Sequence, residues 1–117
     1  MAQVVLVADD DDDVRSLLTL QLMLSGYEPI EAATVDEGLA LLADRSPDLV
    51  LTDLNFGSDT GERIVTACRS TGQPVILMTA SVEARELPES LRVDVPLLRK
   101  PFTLDEMTAA IIEQLQP

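Results

Sequence analysis

Four short apolar runs and one weaker strand-like stretch, each followed by a segment that can form a helix, constrain this chain more than any other feature it carries. Val4 to Ala8 is wholly apolar and rich in β-branched residues, the composition of a strand buried on both faces. Asp48 to Thr52, centred on Leu49-Val50-Leu51, and Pro74 to Met78 have the same character, and Val95 to Leu98 is a briefer example. Glu28 to Ala32 is weaker, because Pro29 cannot donate to a strand ladder and so points to a sheet edge.

The intervening stretches carry helix signals. Val14, Leu17, Leu18 and Leu22 predict a helix with Asp12 or Asp13 as N-cap, ended by Ser25-Gly26. Leu20 and Leu24 widen its apolar arc, which predicts a well-buried helix, with a partner-docking surface as the alternative, while Met23 falls with Arg15, Ser16 and Thr19 on the polar side. Thr34 caps a second helix with Val35, Leu39 and Leu42 in one stripe, ending before Pro47. A third starts around Gly61, places Ile64, Val65 and Cys68 on one side, and stops at Thr71-Gly72. Glu83 to Arg92 reads as a short or broken helix, because Pro88 interrupts it and only Leu87 and Leu91 suggest a face. The last helix repeats Leu104, Met107, Ile111 and Leu115 behind a Thr103 cap. Strand and helix alternating five times imply right-handed crossovers and an α/β fold, a doubly wound parallel sheet with helices on both faces.

The 117 residues, 46% of them apolar, suit one domain, and no second one is expected within 1–117. No apolar stretch approaches the length of a membrane span, and the N-terminus lacks signal-peptide organisation, so a cytoplasmic protein with no membrane partner is expected. A lone Cys68 fits a reducing compartment and reads as a small core residue. The net charge of -13 argues against a nucleic-acid partner, which would require a basic face. With no histidine present, any metal must be hard and oxygen-bound. Seven arginines accompany one lysine, Lys100, and a compact ammonium does different work from a planar guanidinium.

Asp9 to Asp13 are five adjacent carboxylates directly after the first apolar run. Such a block can be disordered, can gather at a helix N-terminus, or can hold a divalent cation. The fold class bears on the choice, because doubly wound sheets bind ligands beyond the carboxyl ends of their strands. The acid run follows the first strand, Asp53 the third, Thr79 the fourth and Lys100 the fifth, so all four features fall at that edge. Asp9 and Asp10 can converge with Asp53 on a magnesium ion, which takes one or two carboxylates and completes its shell with water and phosphate oxygen. A carboxylate is also a competent nucleophile towards phosphorus once its charge is offset. A hydroxyl (Thr79), an ammonium (Lys100) and a metal would stabilise the equatorial oxygens in phosphoryl transfer.

The strings Val4-Val5-Leu6-Val7-Ala8-Asp9-Asp10, Pro47-Asp48-Leu49-Val50-Leu51-Thr52-Asp53-Leu54, Pro74-Val75-Ile76-Leu77-Met78-Thr79-Ala80 and Leu98-Arg99-Lys100-Pro101-Phe102 resemble, in order and spacing, the receiver domain of two-component response regulators. The resemblance spans the chain and implies a flavodoxin-like three-layer sandwich with strand order 2-1-3-4-5. It further implies that Asp53 accepts a phosphoryl group from a histidine kinase or histidine phosphotransfer protein. Asp9, Asp10, Asp53 and the Asn55 backbone carbonyl would hold Mg2+, with Thr79 and Lys100 contacting the phosphoryl group. The Lys100-Pro101 bond is expected to be cis, and Asn55 and Ser81 occupy positions that influence phosphoryl lifetime. Such a domain is a phosphoacceptor that assists its own phosphorylation and dephosphorylation rather than an enzyme.

Several positions depart from the family pattern. Gly57 stands where proline is usual, Thr60 where an acid often precedes Gly61, and Leu97 where an aromatic side chain commonly moves on activation. The usual Gly-Ala pair before the last strand is absent. These departures predict an unconventional output face, with signalling through phosphate relay or through the first helix. The C-terminal Glu113-Gln114-Leu115-Gln116-Pro117 lacks the basic residues typical of transcription-factor receivers, so a stand-alone regulator or a receiver from a hybrid kinase is expected. A haloacid-dehalogenase-like phosphatase would place its nucleophile after the first strand, and here the acid pair stands there instead. An unphosphorylated pseudo-receiver, acting purely as an interaction module, is the remaining alternative.

Overall fold

The computed structural model describes residues 2–80, 86–92 and 94–116. Chain order is β1 (Val4–Ala8), α1 (Asp12–Leu24), β2 (Glu28–Ala32), α2 (Val35–Arg45), β3 (Leu49–Asp53), β4 (Asn55–Phe56), β5 (Asp59–Thr60), α3 (Glu62–Thr71), β6 (Val75–Thr79), a 3-10 turn (Glu89–Leu91), β7 (Leu97–Arg99) and α4 (Leu104–Leu115). Five parallel strands form the main sheet in the order β2-β1-β3-β6-β7. With the β4-β5 hairpin set aside, that is the expected 2-1-3-4-5 order. Pro29 lies on the edge strand, where its missing donor costs nothing.

Continuous apolar runs occur because both faces of the sheet are covered. Leu6, Ala8, Val50 and Leu77 face a cluster completed by Val35 and Leu42 of α2 and by Ile64, Val65 and Cys68 of α3. The alternate residues Val5, Val7, Leu49, Leu51, Ile76, Met78 and Leu98 meet Leu18 and Leu22 of α1 and Met107 and Ile111 of α4. Successive side chains thus enter opposite cores, which demands an apolar residue at each position of a central strand. Burial pushes the Cys68 thiol up to about 11, so it stays protonated as a core residue. Thr34 and Thr103 cap α2 and α4 as expected, the latter in a reciprocal box with Glu106.

Three expectations need correction. The N-cap of α1 is Asp11, whose side chain accepts from the amides of Asp13 and Val14, and not Asp12 or Asp13. The broad arc of α1 is not buried: Leu18 and Leu22 are, but Leu17, Leu20, Met23 and Leu24 are 52–75% exposed. Only one side of α1 meets the sheet, so extra apolar residues have nothing to cover them; Thr19, expected on the polar side, is buried and donates to the Ser16 carbonyl. The third concerns residues 54–60, read as a turn, which form the small antiparallel hairpin β4-β5, with Asn55 opposite Thr60, Phe56 buried, and Gly57 at φ 68 in the tip. Beyond β6, the start of the segment expected to be helical from Glu83 lies outside the described residues. Its described remainder buries Leu87 and Leu91 against the α2-α3 core, and Arg69 of α3 donates to the Ser90 carbonyl at 2.5 Å.

Candidate functional site

Each predicted site residue arrives at the same edge by a separate route. Asp9 follows β1 and keeps its register, its amide donating to the Ala32 carbonyl of β2 at 3.1 Å. Asp53 ends β3, and Thr79 ends the neighbouring β6. Lys100 follows β7, and its amide donates to the Thr79 carbonyl at 2.9 Å, which ties the two polar residues through backbone. The Lys100-Pro101 peptide is cis. Asn55 lies exposed in β4, two residues past Asp53. Ser81 lies outside the described residues.

The side chains converge. Asp9, Asp10 and Asp53 each offer a carboxylate oxygen, and the three oxygens lie within 4.8 Å of one another. The Lys100 Nζ is 3.4 Å from Asp53 Oδ1 and 3.7 Å from Asp9 Oδ2. Asp9 is 1% exposed, Thr79 1% and Asp53 8%, whereas Asp10 is open to solvent. Burial, the largest influence, holds the Asp9 carboxyl above its ordinary value, with the Asp11 amide and Lys100 pulling the other way. Asp9 Oδ1 accepts from that amide at 2.9 Å, but Oδ2 has no hydrogen-bond partner among the described residues. A buried carboxylate oxygen left in this condition, facing two further carboxylates, has the chemistry of a ligand to a hard cation.

Two contributions were not read from the sequence. Gly61, expected only as a helix start, packs against the end of β3: its amide donates to the Leu54 carbonyl at 2.7 Å, and a Cβ there would lie 1.9 Å from the Asp53 carbonyl oxygen. Arg15, placed on the polar side of α1, spans the acid run. Its Nη1 donates to the Asp9 carbonyl at 2.8 Å, Nη2 to Asp12 Oδ1 at 2.6 Å and Nε to Glu31 Oε1 at 3.1 Å. The hydrogen bond to Asp12, followed by that to Glu31, holds the guanidinium above its ordinary value despite burial. The spacing Asp12-Arg15 was the available signal, since residues three apart on a helix are neighbours; Glu31 is distant in sequence and gave none.

An apolar cavity of about 470 Å³ adjoins Lys100, lined by Val14, Leu17 and Leu18 of α1 and by Pro101, Phe102 and Leu104. Of its lining residues, Leu17 is one of the exposed leucines of α1. No helix among the described residues is long and apolar enough to cross a membrane.

Known proteins with this pattern are numerous. Regulatory protein AtoC of Escherichia coli (strain K12) is 37% identical over 115 residues, covering 96% of this chain and 25% of AtoC. Transcriptional regulatory protein PrrA of Mycobacterium tuberculosis (strain H37Rv) is 36% identical over 111 residues, covering 92% of this chain and 47% of PrrA. The chain thus spans a quarter to about half of these curated relatives. Because they include a transcriptional regulatory protein, the expectation of no nucleic-acid partner finds no support in them; the charge argument reaches only the surface of this segment. Among solved structures, chemotaxis response regulator CheY4 of Vibrio cholerae has a TM-score of 0.87 at 25% identity, covering 98% of this chain and 100% of its own. Response regulator protein TrrA of Thermotoga maritima, solved in complex with Mg(2+)-BeF, has a TM-score of 0.84 at 28% identity, covering 97% and 99%. The sequence model of the response regulator receiver domain matches residues 5–112, the span that contains the whole acidic edge. By sheet order, by the residues gathered at the strand ends and by this match, the chain belongs to the receiver domain family of two-component response regulators.

Proposed function

We propose that the chain, as a single receiver domain over 1–117, accepts a phosphoryl group on Asp53 from the phosphohistidine of a histidine kinase or histidine phosphotransfer protein in the cytoplasm. The observation that carries this reading is the convergence of three carboxylates and one ammonium around a buried Asp9 Oδ2 that accepts no hydrogen bond. Asp9, Asp10 and Asp53, with the Asn55 carbonyl, are the residues that would hold Mg2+; the Mg-BeF complex of TrrA supports that choice of ion. When bound, Mg2+ supplies positive charge that offsets the carboxylates and the phosphoryl oxygens. An Asp53 oxygen forms the new bond to phosphorus while the phosphorus-nitrogen bond of phosphohistidine breaks, its electron pair returning to the imidazole, which takes up a proton. The hydrogen bond from the Leu54 amide to Asp53 Oδ1 at 2.8 Å orients the acceptor. Lys100, 3.4 Å from Asp53 Oδ1, and Thr79, at the end of the neighbouring strand, would stabilise charge on the transferred group.

The donor helix would dock on the exposed leucines of α1 and the neighbouring cavity, whose apolar wall reaches Lys100. Leu97 stands opposite Leu77 at 38% exposure and offers no ring to exchange positions with Thr79. That favours relay or α1-centred signalling over an aromatic switch. Incubation with a small phosphodonor and magnesium, read by intact-mass spectrometry, tests the acceptor assignment. A single phosphoryl adduct that disappears in Asp53→Asn is expected; no adduct, or one that survives the substitution, would overturn it.

A further inference from the structure

Five consecutive aspartates fold into one loop and helix start only if something restrains their repulsion, and two of them must still present ligand oxygens. We infer that Arg15 is the positioning residue of the cation site, a fork that fixes the Asp9 peptide so that the Asp9 carboxylate faces Asp10 and Asp53. This inference rests on the Mg2+ reading above. Its basis is the number of restraints that meet at Asp9. The amide is held by the Ala32 carbonyl, the carbonyl by Arg15 Nη1, and Oδ1 by the Asp11 amide, which leaves Oδ2 as the oxygen turned to the site. The guanidinium is itself held on two further sides, by Asp12 from α1 and Glu31 from the edge strand β2. Its side chain is only 14% exposed. Arg15 therefore clamps the loop between a helix and a strand without taking a carboxylate oxygen from Asp9 or Asp10. A planar fork can satisfy three acceptors in fixed directions, which a lysine ammonium on a flexible stem cannot.

Position and charge predict opposite outcomes, which makes the role testable. If Arg15 acted only as a nearby cation, removing it would strengthen binding of a divalent cation by lifting repulsion. A positioning role predicts the reverse. The experiment is calorimetric titration of the full chain with Mg2+ alone, on wild type, Arg15→Met, Arg15→Lys and Asp12→Asn, with thermal unfolding in EDTA to verify that each variant folds. Loss of a group that orients a metal ligand typically weakens affinity about 10- to 100-fold. Arg15→Met is expected to lose about tenfold, near the lower end of that range because the contact is to backbone. Arg15→Lys, which retains the charge, should also lose affinity, and Asp12→Asn, which weakens one anchor of the guanidinium but leaves its contact to the Asp9 carbonyl, should lose less than Arg15→Met. Unchanged or tighter Mg2+ binding by folded Arg15→Met, or full rescue by Arg15→Lys, would overturn the positioning role. If wild type and Asp9→Asn alike show no Mg2+ binding, the cation reading itself fails and takes this inference with it.

Discussion

Replacing Asp9 by asparagine should make the metal-free protein more stable while removing its response to magnesium. The Asp9 and Asp53 oxygens lie within 4.8 Å of each other, so at an effective dielectric constant of about 20 their repulsion is about 3.5 kcal/mol or more. Attraction between Asp9 and the Lys100 ammonium at 3.7 Å is about 4.5 kcal/mol on the same scale, reduced by solvent because that lysine is 31% exposed. Repulsion from Asp53 offsets much of this attraction and the exposed Asp10 adds to that repulsion, so the desolvated Oδ2, which accepts no hydrogen bond, decides the sign. Asparagine keeps the acceptor that the Asp11 amide uses, and it replaces Oδ2 with a donor facing a carboxylate. Relieving an unsatisfied buried group is worth roughly 1–3 kcal/mol, or about 4 °C in Tm per kcal/mol for a domain of this size. Urea unfolding in EDTA should show that gain. Magnesium at a hundredfold excess over its Kd should add about 2.7 kcal/mol to wild type and little to the variant, closing or reversing the gap. The pH dependence has a definite sign. The Asp9 carboxyl is raised from 3.8, so the fold favours its neutral form, and that stabilisation is present at low pH and lost as pH rises through the raised value. The advantage of Asp9→Asn should therefore vanish in acid and grow towards neutral pH. A metal-free variant less stable than wild type at pH 7 would refute the reasoning.

Two further perturbations address the surroundings. Gly61→Ala places a methyl 1.9 Å from the Asp53 carbonyl oxygen, although its φ of -65 would suit any residue, so the loss is contact rather than torsion. It should lower stability by about 1–3 kcal/mol or more and slow phosphorylation of Asp53; an unfolding midpoint and rate equal to wild type would contradict the packing argument. Leu97→Tyr should leave phosphorylation-dependent partner binding largely unchanged, and a large gain in a pull-down with phosphorylated protein would sink the idea that output avoids the β7 face.

The strand-helix alternation, the edge position of β2 through Pro29, the caps Thr34 and Thr103, and the alignment of Asp9, Asp53, Thr79 and Lys100 at one sheet edge are all legible in the amino-acid order. These depend on periodicity and local chemistry, which a short window contains. Tertiary structure decided what depends on partners far apart in the chain. Five identical neighbours offered no local means of choosing the cap; the choice fell to Asp11 once β1 and its pairing with β2 fixed where Asp9 stands. Whether the leucines of α1 lie in a core or on a surface depends on which side of the helix meets the sheet, and periodicity reports that an arc is apolar without reporting what covers it. Gly61 matters because the β4-β5 hairpin turns the chain back onto the end of β3, and Arg15 because Glu31 of the edge strand completes its fork. Local sequence chose the groups with chemistry, and packing between distant segments chose their orientation, because only packing brings a second and third partner to the same atom.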